Sequence, residues 1–232
     1  MPDRVVDIQN LTFHWPGAAR PVLDIQQLSI ERGQHLFIEG ESGCGKTTLL
    51  NLLCGIHQAD SGSIQVLGQE LGAMSSSQRD RFRADHLGVI FQQFNLLPYL
   101  NVLENVMLPC HFSRLRLQRA GPLHQAAREM LAELQIPQDI AERDVSDLSV
   151  GQQQRVAVAR AMIGHPEIVI ADEPTSALDS RNRDSFIELL FRRASEHHST
   201  LIFVSHDQQL AHHFTHQIHL AELNRAIHGR VT

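Results

Sequence analysis

The chain is poor in cysteine, poor in aromatic side chains and without a long apolar run. Cys44, Cys54 and Cys110 are an odd number with no metal-like spacing, which fits a reducing cytosol and excludes a disulfide framework. No stretch approaches the roughly 18 consecutive apolar residues of a membrane span. The start, Met1 to Asp7, lacks a basic region followed by an apolar core, so neither a signal peptide nor a spanning segment is expected. A formal charge of −6 excludes a broad phosphate-backbone surface, and no nucleic-acid partner is expected. No internal repeat or low-complexity segment is visible. With 232 residues, 42% of them hydrophobic, the chain can bury a full core, and one globular unit is expected.

Against this background Gly40-Glu-Ser-Gly-Cys-Gly-Lys-Thr-Thr48 matches the phosphate-loop pattern G-x-x-x-x-G-K-[ST] at every fixed position. Gly40, Gly43 and Gly45 suit a loop that must turn tightly and aim its N–H groups inward. The apolar run before it reads as a buried strand, and Lys46 to Gly55 reads as a helix, giving strand, loop and helix in the required order. Lys46 is then placed to reach the β and γ oxygens of a nucleotide, Thr47 to ligate Mg²⁺, and Thr48 to add a phosphate contact. Cys44 beside a helix N-terminus could carry a thiol of lowered pKa, or be a small tolerated loop residue.

A second signal is Glu167-Ile-Val-Ile-Ala-Asp-Glu-Pro174, a buried strand ending in two carboxylates. Asp172 suits Mg²⁺, mostly through water, and Glu173 is free to orient or deprotonate an attacking water. Strands are expected at Val5–Asn10, Gln26–Ile30, Gly62–Gly68, His86–Phe91 and Thr200–Ser205, helices across 100–163 and 181–194, and a final helix with short strands. Strands alternating with helices imply an α/β core with a mainly parallel sheet. His212, His213, His216 and His219 lie at spacings that could share a helical face, read as solvated surface rather than a metal site.

Leu148-Ser-Val-Gly-Gln-Gln-Gln-Arg155 resembles the signature motif of ABC-transporter ATPases, and the order of motifs matches that family across essentially the whole chain. The resemblance implies a P-loop ABC ATPase fold with a mainly parallel sheet, a small antiparallel β-subdomain and a helical subdomain insert. It places the ATPase core at about 1–91 and 165–232 and the helical subdomain at about 92–164. It implies Gln92 as a Mg²⁺ ligand of the Q-loop, Ser176 to Asp179 as the D-loop, His206 as the γ-phosphate switch, and Trp15 as the ring stacking on adenine. Nucleotide contacts would come from Gly40, Glu41, Ser42, Gly43, Cys44, Gly45, Lys46, Thr47 and Thr48. Ser149, Gly151, Gln152 and Asp179 would add contacts across a homodimer, where the signature of one chain closes on the γ-phosphate held by the other. Val150 departs from the commoner Gly and would be strained if that position needed positive φ.

Phe91 to Pro109 is similar to the ATPases of macrolide-efflux and lipoprotein-release systems. That similarity implies an ATP- and Mg²⁺-dependent ATPase on the cytoplasmic face of the inner membrane. Its partner would be a permease with four transmembrane helices and large outer domains, received by a groove of Phe94, Leu96, Leu97, Pro98 and Tyr99. The rival is a soluble assembly machine of the same ATPase type, such as that of iron–sulfur assembly. Coiled-coil heptads of a DNA-repair member are absent, and a second phosphate loop, as in a translation factor, is absent too.

Overall fold

A computed structural model describes residues 3–175 and 180–228 and forms two compact units, one made of the residues up to Arg83 together with those from Thr200 onward, the other of Ala84–Ser199. In chain order the first unit contributes β1 (Arg4–Phe13), β2 (Leu23–Glu31), β3 (Leu36–Glu39), α1 (Lys46–Leu53), β4 (Ser61–Val66), β5 (Gln69–Glu70) and α2 (Ser76–His86), whose last turn enters the second unit. There follow β6 (Leu87–Ile90), α3 (Val102–Phe112), α4 (Arg114–Ala120), α5 (Leu123–Glu133), α6 (Val150–Met162), β7 (Ile168–Asp172) and α7 (Ser180–Glu196). The chain returns to the first unit through β8 (Thr200–Ser205), β9 (His216–His219), α8 (Leu220–Leu223) and α9 (Arg225–His228).

In the first unit an antiparallel layer runs in the order β2-β1-β4-β5. Its long strand β1 buries Val6, Ile8, Leu11 and Phe13, with a break in the alternation around Asn10. The β1–β4 register shifts between Gln9 and Thr12, and Asn10 has φ 50°, a bulge that bends the strand. Gly62 lies against this bulge, where a Cβ would stand 2.3 Å from the Asn10 carbonyl oxygen, so only glycine fits. Beside this layer β3 pairs in parallel with β8 and β9, Glu39 standing level with Ser205 and with His219. Leu36, Phe37 and Ile38 are all buried, the continuous apolar run expected of a parallel strand covered on both faces.

The second unit is built around α6, in which Val156, Ala157, Val158, Ala159, Ala161 and Met162 are all buried. A helix buried all round over this stretch is a core helix, and α3 and α5 both pack on it. β6 pairs in parallel with β7, from Leu87 opposite Ile168 to Ile90 opposite Ala171. The last turn of α6 ends on a buried cation: Arg116 of α4 donates to the carbonyls of Ala161 (2.7 Å), Ile163 (2.8 Å) and Leu87 (3.3 Å). Burial lowers its pKa to about 10, which leaves it charged at neutrality and able to satisfy the helix's terminal carbonyls.

The elements expected from sequence are present, with two corrections. His86 ends α2 instead of beginning β6, its ring reaching the Glu167 carboxylate at 3.1 Å. His212, His213, His216 and His219 share no helical face: the first two lie in a 3-10 turn, Gln208–His213, and the others on β9. Among the described residues no helix is long and apolar enough to cross a membrane. β6, β7 and α7 group with the helices of 92–164 in the second unit.

Candidate nucleotide-binding site

In the first unit the phosphate loop leaves β3 after Glu39 and enters α1 through Gly45. Gly43 and Gly45 have φ 80° and 105°, and a Cβ on Gly45 would lie 2.8 Å from Leu23. Gly45 is also the helix N-cap, so no cap side chain and no first-turn acid covers the N-terminal N–H groups of α1. Those groups and the helix dipole favour an anion there. The Lys46 ammonium folds back over the loop, donating to the carbonyls of Gly40 (2.6 Å) and Glu41 (3.1 Å). Glu41, Ser42 and Thr47 are exposed, and Thr48 is buried. Cys44 is buried with its Sγ against Gly40, where a Cβ would be 2.4 Å away, so it acts as a small loop residue whose size matters.

Because Glu39 is level with Ser205, the loop beginning at Gly40 and the exposed His206 leave the same end of their parallel strands. The backbone beyond His206 is set by Asp207, whose N–H donates to the Ser205 hydroxyl at 3.1 Å. Trp15 is 41% exposed and meets Phe13 and His57 edge to face, which places it outside the core.

In the second unit Ile90 is level with Ala171, so Gln92 and the Asp172–Glu173 pair leave the same end of β6 and β7. Gln92 is exposed and Asp172 half-buried. Glu173 is 8% exposed and has φ 47°, a left-handed conformation costly for a side chain with a Cβ and typical of residues held for chemistry. Next to it the Pro174 carbonyl accepts a 2.7 Å hydrogen bond from Gln154 of α6, which fixes the turn. The same helix begins with a capping box: the Ser149 hydroxyl accepts from Gln152 N–H at 3.3 Å, and the Gln152 carboxamide accepts from Ser149 N–H at 3.0 Å. Val150 is the first helical residue and its φ is not positive, so the departure from Gly carries no strain. Among the described residues, a Cβ on Gly151 would meet nothing within 4 Å beyond its chain neighbours and the helix's own backbone.

Four residues that organise this site escaped the sequence reading: Gln154, Asn105, Arg160 and Arg116. Asn105 is fully buried and its amide donates to the carbonyls of Leu97, Leu100 and Asn101, each at 3.0 Å, shaping the loop after Gln92. Arg160 of α6 donates to the carbonyls of Asn95 (2.6 Å) and Phe94 (2.5 Å), two residues of left-handed φ. Phe94 is buried, which corrects its expected place on an exposed groove, whereas Tyr99 is 77% exposed. Asp179 lies outside the described residues.

A phosphate loop on a parallel strand, a carboxylate pair at a second strand end and a capped signature helix define a P-loop nucleotide-hydrolysing protein. The comparisons give the family: the model described as ABC transporter matches residues 23–176, and the chain belongs to that family. It is 42% identical over 185 residues to the uncharacterized ABC transporter ATP-binding protein YbbA of Escherichia coli K12, covering 80% of this chain and 79% of that one. With the lipoprotein-releasing system ATP-binding protein LolD of Porphyromonas gingivalis identity is 40%, over 82% and 85% of the two chains. With the probable export ATP-binding/permease protein MacB of Pseudomonas entomophila it is 41%, over 80% of this chain and 27% of that longer one. Among solved structures, the dimeric ABC transporter cassette MJ0796 superposes with a TM-score of 0.81 at 32% identity, over 92% and 93% of the chains. Its post-hydrolysis state with ADP and Pi gives the same TM-score over 95% of each. The chain is therefore an ABC-type ATPase and the ATP-binding subunit of a transporter, with the P-loop ABC ATPase fold expected from sequence.

Proposed function

We propose that this chain powers a separate membrane permease by ATP-driven closure of a homodimer on the cytoplasmic face of the inner membrane, in a system of the lipoprotein-extraction or efflux class. The relatives named for lipoprotein release and for export support the class, and the dimeric cassettes support the homodimer. The observation that carries it is Gly151. A glycine inside a helix costs about 1 kcal/mol relative to alanine, yet among the described residues nothing beyond its chain neighbours and the helix's own backbone stands within 4 Å of its missing Cβ. The reason for a bare backbone lies in something that approaches from outside. A nucleotide held on the partner's phosphate loop fits, with Ser149, Gly151 and Gln152 at the positive end of α6 facing its γ-phosphate.

Hydrolysis is transfer of the γ-phosphoryl group to water with ADP leaving. Glu173 orients that water and accepts its proton as the new P–O bond forms. Lys46 and the N–H groups of the loop offset charge on the transferring group, His206 contacts the γ-phosphate, and Trp15 stacks on the adenine. Thr47, Gln92 and Asp172 are hard oxygen donors of the kind Mg²⁺ takes, and bound Mg²⁺ would neutralise phosphate charge. Exposed Tyr99, beside Pro98, offers the apolar contact for a cytoplasmic helix of a permease with four transmembrane helices.

Glu173→Gln tests the whole reading. ATP binding should persist while turnover falls at least about a hundredfold, the scale of a lost general base, and the ATP-bound dimer should accumulate. Tagged Glu173→Gln, expressed in its own cell and purified from membranes solubilised with ATP, should carry a four-helix permease with it. Undiminished turnover would remove Glu173 from its role, and recovery of soluble partners alone would replace the transporter with an assembly machine.

A further inference from the structure

Trp15 is held in place by the loop that follows α1, and every contact in that arrangement lies within the first unit. The chain runs off α1 through Cys54 and Gly55, the latter at φ 65°, into Ile56 and His57. The N–H groups of Ile56 (2.9 Å) and His57 (3.4 Å) both donate to the Asn51 carbonyl, so this loop is tied to the helix that carries the phosphate loop at its other end. From there it grips the end of β1. Asp60 N–H donates to the Thr12 carbonyl at 2.9 Å. The Asp60 carboxylate accepts from His14 N–H at 2.6 Å and lies 2.9 Å from His14 Nδ1. The same hydrogen bonds hold the Asp60 carboxyl below its ordinary pKa. The bulge at Asn10, accommodated by Gly62, is what brings Thr12 to His14 onto this loop.

The rings complete the grip. Trp15 lies 5.3 Å from Phe13 and 5.0 Å from His57, nearly perpendicular to each, while Phe13 and His57 lie 5.7 Å apart. If those two rings covered opposite faces of the indole, their centroids would be about 10 Å apart, the sum of the two arms. They therefore lie together beside the indole and do not sandwich it.

We infer that His57 and Asp60 are positioning residues for nucleotide recognition: His57 braces the indole while leaving a face of it for adenine, and Asp60 locks the backbone that carries it. This rests on Trp15 being the adenine platform. The consequence is selective. Base affinity depends on the brace, whereas affinity for the phosphate chain, held at the far end of α1, does not.

Trp15 is the only tryptophan, so its emission reports this site alone. The full chain and its His57→Ala, His57→Phe and Asp60→Ala variants would be titrated with MgADP and with inorganic tripolyphosphate, by emission and by calorimetry, and their ATPase kinetics measured. An edge-to-face pair is worth about 0.5–1.5 kcal/mol beyond its area, a factor of about two to ten in affinity. His57→Ala should weaken MgADP by that factor and raise KM for ATP equally, with kcat within about twofold and tripolyphosphate binding unchanged. His57→Phe should restore most of the loss, because a ring again braces the indole. Asp60→Ala should shift MgADP in the same direction, and it decides the matter if His57→Ala does not fold. A responsive indole with unchanged MgADP affinity in both alanine variants would overturn the brace and leave the adenine platform standing. Equal losses for MgADP and tripolyphosphate would reduce these residues to general structural support and overturn the inference. An indole silent to MgADP, with normal calorimetric affinity, would overturn the platform and the brace with it.

Discussion

Lys46 is the only lysine in the chain, all 19 other side-chain cations apart from histidine being arginines. Its ammonium is nearly buried and rests on the carbonyls of Gly40 and Glu41. A compact point charge with three donors can sit on such a loop and still turn toward phosphates, which a planar guanidinium cannot do in the same space. One amine-acylating reagent therefore has one ε-amine to attack, beside the α-amine. Acetic anhydride should abolish ATPase activity in proportion to acetylation of Lys46 measured by mass spectrometry, and MgATP should protect both. Full acetylation with activity intact would sink the phosphate role of Lys46. At this scale the sequence was most legible: phosphate loop, carboxylate pair and signature are short strings whose chemistry follows from local backbone. Gln154, Asn105 and Arg160 were illegible because their work is done on carbonyls 20, 4 to 8, and 65 to 66 residues away. Nothing in their own neighbourhood marks which polar side chain of a helix points inward.

Among the elements, α6 is fixed at each end and along its length. Ser149 caps its start, Gln154 holds the turn after Glu173, Arg160 holds the loop after Gln92, and Arg116 takes up its terminal carbonyls. The helix was legible as a periodic apolar segment, but its anchoring was not, since a buried arginine looks in sequence like any surface cation of α4. Gly164 shows how tight the anchor is: it has φ 71°, and a Cβ would stand 2.6 Å from both Cβ and carbonyl oxygen of Arg116. Gly164→Ala must therefore strain its own backbone and displace Arg116. A cost of about 2 kcal/mol or more is expected, from a strained dihedral plus overpacking, read as a lower urea midpoint. An unchanged midpoint would mean that Arg116 is not held where the hydrogen bonds place it.

For the molecule as a whole, acid is the informative stress, because several part-buried groups are held out of their ordinary titration ranges. In the second unit His165 and His197 lie ring on ring, centroids 4.1 Å apart, with His165 Nδ1 and His197 Nε2 buried without a hydrogen-bond partner. Burial first, then each one's cationic neighbours, His197 and Arg119 for one and Arg193 for the other, push both pKa values down. Burial does the same to His35 in the first unit. Unfolded imidazoles titrate near 6.5, so between that pH and the lower folded values the unfolded chain binds more protons. The stability these residues contribute is whole above about pH 6.5 and is lost as pH falls through the folded values. Glu167 adds a separate, lower window. Its burial works against ionisation, but hydrogen bonds from His86 and Arg119 outweigh it and bring the carboxyl to about 2, against an ordinary 4.5. That contribution stands above pH 4.5 and is lost as pH falls from there toward 2. Urea midpoints of the nucleotide-free chain should therefore drop first as pH falls below about 6.5 and again below about 4.5. His165→Gln with His197→Gln should flatten the first drop, and Glu167→Gln the second. A midpoint that stays level from about pH 7.5 to 5.5 would show that the stacked pair is free to protonate in the folded protein, against the burial that the packing of Gly164 to Glu167 and the end of α7 gives it.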